Sequence, residues 1–182
     1  MYIDKSLIKT DTRELKQRLG GADISIASDA LKKVESAMNP RYVLRLADVV
    51  HTDEGVDLGF GEIKSSNLKR NLRDCRTAYL ICITIGTEID GLLRRESVVG
   101  PSSQYLADAC ASAAVETAVD YVQKSLGVKT MARFAPGYGD FSIEYQKDLL
   151  EFTGAGRIGV TLTDSNLMIP TKTITCIMGV LE

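Results

Sequence analysis

Apolar and polar positions along the chain change their period several times, and each change marks an element. Asp11 to Leu19 reads as a short helix stopped by Gly20-Gly21, and Ser28 to Met38 as a second one ending before Pro40. Together they form a helical lead-in over residues 1–40. Tyr42 to Val50 is rich in β-branched and large apolar residues; a His51–Gly55 turn and a second run, Val56 to Phe60, complete a hairpin pattern. Ser65 to Leu72 reads as a helix, Ala78 to Thr84 as a fully buried strand, and Glu88 to Arg95 as a helix after Gly86.

The clearest helix is Ser102 to Leu126, with Pro101 before it, Gly127 after it and a length of ~36 Å. Ala107, Ala109, Cys110, Ala111, Ala113, Ala114 and Ala118 give it little bulk, so another backbone can approach closely. Beyond it the pattern predicts a strand over Lys129 to Phe134, a helix over Ser142 to Phe152 with Asp140 or Ser142 as its N-cap, and a short strand over Gly159 to Thr163. Lys172 to Val180 alternates Ile174, Cys176 and Met178 as a half-buried strand does. Helices and strands do not alternate regularly. The expected architecture is therefore a single α+β domain over residues 1–182, with helices packed on a mostly antiparallel, twisted sheet and a long central Ala-rich helix.

Composition narrows the function by exclusion. The chain has 182 residues, of which 45% are apolar and 25% charged, and a formal net charge of −2, with no dense Lys/Arg cluster of the kind that binds nucleic acid. Its longest apolar stretch, Ala78 to Ile85, is far short of the ~20 residues that span a bilayer. The N-terminus lacks the apolar core of a signal peptide, which places the protein in the cytoplasm as an expectation. Cys75, Cys82, Cys110 and Cys176 are scattered and read as small buried side chains rather than as a redox or zinc site. His51 is the single histidine, too few for a multi-histidine metal site, and reads as a strand-end surface residue.

Candidate chemistry concentrates in Arg133-Phe134-Ala135-Pro136-Gly137-Tyr138-Gly139-Asp140, where a cation, a sharp turn, an aromatic ring and a carboxylate share eight residues. Pro136 presets φ at the second position of a β-turn and Gly137 tolerates the positive φ of a type II turn at the third. Read without further context, Arg133 is a strand-end surface residue and Tyr138 a turn-packing aromatic. On the long helix Asp108, Ser112, Glu116 and Asp120 recur every four residues and form an acidic stripe, which is either a solvated face or one that meets a cation. Thr161, Thr163 and Ser165 are either pocket-lining groups or plain strand hydroxyls. Thr84-Ile85-Gly86-Thr87 forms a weak turn signal between a strand and a helix.

The Arg133, Ala135, Pro136, Gly137, Tyr138 run resembles the S-adenosylmethionine-binding loop of the reactivation domain of cobalamin-dependent methionine synthase. Thr161 to Ser165 followed by Met168-Ile169-Pro170, and the Ala-rich helix carrying Glu116, fit that family in order and spacing, so the resemblance covers roughly residues 60 to 180. It implies that Arg133, Ala135, Pro136, Gly137 and Tyr138 contact S-adenosylmethionine and that Glu116 faces the amino group of its methionine moiety. Arg133 would hold the carboxylate or the ribose, or act through its backbone; Tyr138 would offer its ring to the sulfonium or stack on the adenine. The family's domain continues past the strand matching Lys172 to Val180 and supplies a further tyrosine, a contact expected to be absent from a chain that stops at Glu182.

By resemblance, then, the chain is a module that binds S-adenosylmethionine and supports reductive methylation of a cobalamin cofactor on a partner methionine synthase or corrinoid protein. Its chemistry is methyltransferase-related and not exercised alone; the electron comes from an outside donor such as a flavodoxin, and no residue of the chain is assigned as catalytic or as a metal ligand. The alternative is a non-catalytic module that docks to a corrinoid protein or senses a ligand without methyl transfer.

Overall fold

The computed structural model describes residues 1–181. Along the chain come α1 (Thr12–Arg18), α2 (Ser28–Ala37), β1 (Arg41–Asp48), β2 (Val50–His51), β3 (Val56–Asp57), β4 (Glu62–Ile63) and α3 (Ser66–Asn71). They are followed by β5 (Thr77–Thr84), α4 (Thr87–Val99), α5 (Pro101–Ser125), α6 (Gln146–Thr153), β6 (Thr161–Leu162), β7 (Met168–Ile169) and β8 (Thr173–Gly179). The architecture is α+β. The chain divides into two compact units, one built from Met1–Arg41, Ile83–Ser125 and Ile169–Ile174 and the other from Tyr42–Cys82, Leu126–Met168 and the residues from Thr175 onward.

The first unit is helical and centres on α5. Pro101 is its first residue, where a missing N–H costs nothing, and Gly127 just past its end takes a positive φ of 67°. Ala107, Cys110, Ala111, Ala114 and Ala118 are buried at helical spacing, and α1, α2 and α4 pack against the helix. Small side chains let those backbones come close. Buried Glu96 on α4 accepts from Lys33 Nζ of α2 at 2.8 Å and from the Ser103 hydroxyl of α5. The hydrogen bonds from Lys33 and then Ser103 hold its carboxyl below the usual carboxylate range.

The second unit holds the sheet, in the order β1-β5-β8. Val49 N donates to Arg76 O and Val180 N to Thr77 O, so the ends of β1 and β8 both meet the start of β5 and the strands are antiparallel. One face carries a core of Leu80 and Ile177 from the sheet, Leu68 and Leu72 from α3, and Phe141 and Leu149. The expected hairpin is present only next to its turn, with His51 opposite Val56, and β4 extends it through Val56 opposite Ile63; β1, most of the expected first arm, pairs with β5 instead. Gly55 makes that meander possible, because a Cβ there would sit 1.8 Å from Ile63 O.

Two expectations fail here. Lys172 to Val180 is not half-buried: Thr175 and Ile177 on one face and Cys176 and Met178 on the other are all buried, so no alternation of burial exists for the pattern to report. Lys129 to Phe134 is not a regular strand. It runs along the outer edge of β8 through bridges at Thr130 to Val180 and Phe134 to Ile177, four residues on one side against three on the other. The extra residue is a bulge, which breaks the ladder and turns the chain away from the sheet.

Candidate functional site

The candidate loop starts from that bulge. Phe134 exchanges both backbone hydrogen bonds with Ile177, at 2.9 Å and 2.7 Å, and its ring stacks on buried Phe141 at 6.2 Å between centroids. The chain then reverses. Tyr138 N donates to Ala135 O at 3.1 Å across buried Pro136 and Gly137, whose φ of +93° is the value a type II turn demands at its third position. A second reversal interlocks with the first: Phe141 N donates to Tyr138 O at 2.9 Å, Gly137 N donates to Phe141 O at 2.7 Å, and Gly139 takes a φ of +57°.

Tyr138 stands between the two turns with 62% of its surface exposed and its ring 6.3 Å from that of Phe134. Ala135 is half-buried, and Arg133 is half-buried and already engaged with other residues. The loop thus offers an open aromatic face on a backbone pinned to the sheet, five residues along from a half-buried arginine.

Asp140 does something other than expected. It does not cap the downstream helix: Ser142 accepts from Glu144 N at the start of a 3-10 turn, Ile143–Tyr145, that leads into α6. The Asp140 carboxylate instead accepts from Ser66 N at 2.8 Å, Asn67 N at 3.1 Å and the Ser65 hydroxyl at 2.5 Å, at the start of α3. The Ser65 hydroxyl, followed by the Asn67 and Ser66 amides, holds the Asp140 carboxyl below the usual range. Sequence reasoning had no access to this contact, because the partners lie 73 to 75 positions apart and a helix-capping carboxylate carries no long-range signature.

Glu116 lies on α5, in the helical unit, half-buried and with Oε1 3.6 Å from Arg18 Nη2. Further along the acidic stripe, Lys172 Nζ donates to Asp108 Oδ1 at 2.7 Å and to Ser112 Oγ at 2.9 Å. The stripe meets cations, as one reading of the spacing allows, and at these positions they come from the chain itself. Thr84 accepts from Gly86 N at 3.2 Å, and Gly86, with φ +96°, precedes α4, so the Thr-x-Gly signal is a buried strand-to-helix turn.

A cavity of about 860 Å³ lies in the sheet unit, lined by Thr161 and Thr163 with Lys147, Arg157, Leu150 and Val160 among others. Ser165 bonds to Thr163 at 3.0 Å. None of the residues Arg133 to Tyr138 belongs to the lining of that cavity. All four cysteines are buried and none is in a disulfide; burial pushes the Cys82 thiol up to about 12 and the Cys110 thiol to about 11. His51 is exposed at the end of β2. Among the described residues no helix is long and apolar enough to cross a membrane, and no three His, Cys, Asp or Glu side chains group as metal ligands do.

No protein-family model matches the chain, and no curated protein matches it in sequence. Among solved structures, the chain is similar to the crystal structure of the MetH reactivation domain bound to AdoHcy, with a TM-score of 0.72 and 13% identity over 98% of this chain and 77% of that one. The fold expected from the resemblance is therefore the fold observed.

Proposed function

We propose that the loop from Arg133 to Tyr138 binds S-adenosylmethionine and that the chain supports reductive methylation of a cobalamin cofactor carried by a partner methionine synthase or corrinoid protein. The observation that carries this reading is the exposed Tyr138 ring, held between two interlocked turns, in a fold shared with a domain whose structure contains AdoHcy. The loop suits the ligand's chemistry. An open tyrosine face attracts a sulfonium or stacks on an adenine, Arg133 provides a fixed positive charge for a carboxylate, and the backbone around Gly137 lets a ligand approach without a Cβ in the way. Glu116 enters by resemblance alone, and the proposal rests on the loop.

When bound, the ligand supplies a methyl group on a sulfonium; transfer to reduced cobalt on the partner leaves the thioether, with the reducing electron coming from an outside donor of the flavodoxin type. The chain's own share is to bind and orient, since proximity and alignment account for much of such a rate enhancement. Isothermal calorimetry with S-adenosylmethionine tests the binding step. Tyr138→Ala is expected to weaken it by ~1 to 2 kcal/mol, the range of a desolvated cation–π contact. An unchanged dissociation constant removes Tyr138 from the site.

One observation favours the second reading, a docking or sensing module without methyl transfer: the Glu116 carboxylate already lies 3.6 Å from Arg18. Glu116→Gln tests that engagement, because loss of affinity in that variant gives Glu116 a ligand role and retention leaves it to Arg18.

A further inference from the structure

The start of α3 needs acceptors for its first N–H groups, and a local residue provides only one. Ser65 Oγ accepts from Leu68 N at 3.0 Å; Ser66 N and Asn67 N are served by the Asp140 carboxylate, which also takes the Ser65 hydroxyl proton's hydrogen bond. Three donors from one helix start thus converge on a carboxylate two residues beyond Tyr138. The approach is close. A Cβ on Gly139 would lie 2.6 Å from Asn67 Nδ2, so a side chain between Tyr138 and Asp140 would have to displace that amide as well as adopt a φ of +57°. α3 itself is anchored through Leu68 and, just past its end, Leu72, both fully buried in the core.

The loop is consequently held at two places, at Phe134 by the backbone exchange with Ile177 and at Asp140 by the clamp on α3. Tyr138 lies between them, 62% exposed, with the Phe134 ring 6.3 Å away as an aromatic neighbour. Its direction is set by what holds the backbone on either side rather than by packing of its own ring. We infer that Asp140 is a positioning residue for Tyr138, fixing the ligand-binding loop to the start of α3 so that the ring is presented in one orientation. The inference rests on the proposed loop site for its consequence in binding, and on the geometry alone for the clamp.

A carboxylate that merely capped α3 would affect stability and nothing in the loop. The experiment therefore reads the loop directly. Asp140→Ala, Asp140→Asn and Ser65→Ala are compared with the wild-type chain by amide hydrogen exchange at Gly137, Tyr138 and Phe141, whose N–H groups close the two turns, and by calorimetric titration with S-adenosylmethionine. Asp140→Ala is expected to accelerate exchange at those amides about tenfold, with β5 and α5 unchanged, and to weaken the ligand about five- to tenfold, the size of losing one charge-assisted cap. Asp140→Asn is expected to restore most of both effects, because its amide oxygen accepts from the two N–H groups while its NH₂ turns to Ser65 Oγ. Ser65→Ala, which leaves the two backbone bonds to Asp140, serves as the helix-start control, with a lowered melting temperature and smaller changes in the loop.

Exchange at the three loop amides as slow in Asp140→Ala as in the wild-type chain overturns the clamp, whatever the ligand does. Faster exchange with unchanged affinity overturns the positioning role in binding. Absence of binding by the wild-type chain overturns the loop-site reading instead, and the exchange result still decides whether Asp140 holds the loop.

Discussion

Gly137 shows how a single residue sets the loop. With φ at +93° and Ile143 Cδ1 3.5 Å from where a Cβ would stand, there is space for a methyl group but not the conformation for one. Gly137→Ala is expected to destabilise the protein by ~1 to 2 kcal/mol through backbone strain alone, read as a shift of the urea midpoint with an unchanged slope; no shift would mean that the turn relaxes out of the left-handed region. The turn was legible in the sequence because Pro-Gly encodes its dihedrals locally. The clamp was not, because Asp140 and Ser65 meet only after folding. Its pH dependence follows from the direction of its shift. The folded carboxyl titrates below its ordinary value of 3.8, so its contribution is present above that value and is lost as the pH falls through the lower, folded one. A carboxyl carbon titration by NMR is expected to place the Asp140 midpoint below the ordinary aspartate value of 3.8, and a midpoint at or above that value would remove the charge-assisted bonds from the account.

At the scale of elements, spacing identified α1, α2, β1, α3, β5, α4 and α5, since each carries its own capping or periodicity signal, but joined β1 to the β3 run as a hairpin where only Val50–His51 pairs with it. β4, of two residues, is too short to carry one. The edge segment 129–134 was read as a strand because its composition is that of one; only the register with Val180 and Ile177 reveals the bulge. β8 also hides a steric constraint. A Cβ on Gly179 would lie 2.5 Å from Cys75 Sγ and 2.7 Å from Leu72 Cδ2, so the strand and the end of α3 are packed to the limit at this point. Gly179→Ala is expected to cost ~1 to 3 kcal/mol by overpacking, measured by chemical denaturation. Adding Cys75→Ala removes the nearer obstacle, and the pair is expected to be less destabilised than the sum of the singles. Strict additivity would show that Leu72, not Cys75, is the atom in the way.

For the whole molecule, a likeness at 13% identity means that the fold is retained with few residues in common, so legibility came from periodicity and from one short loop rather than from overall similarity. In the proposed activity a partner carries the corrinoid, and the exposed Tyr138 is the face expected to turn toward it, in a modest contact of the transient kind. The decisive assay mixes the chain with a cob(II)alamin-loaded corrinoid protein, a one-electron donor and S-adenosylmethionine and follows the visible spectrum. Conversion to methylcobalamin is expected to be accelerated by the wild-type chain and not by Tyr138→Ala, since the ligand must be bound and aligned before its methyl group can leave sulfur. Asp140→Ala is expected to fall between them, and Asp140→Asn close to the wild-type chain. Conversion at the same rate with and without the chain would sink the reactivation mechanism, while calorimetric binding in the same preparation would leave the ligand-sensing reading standing.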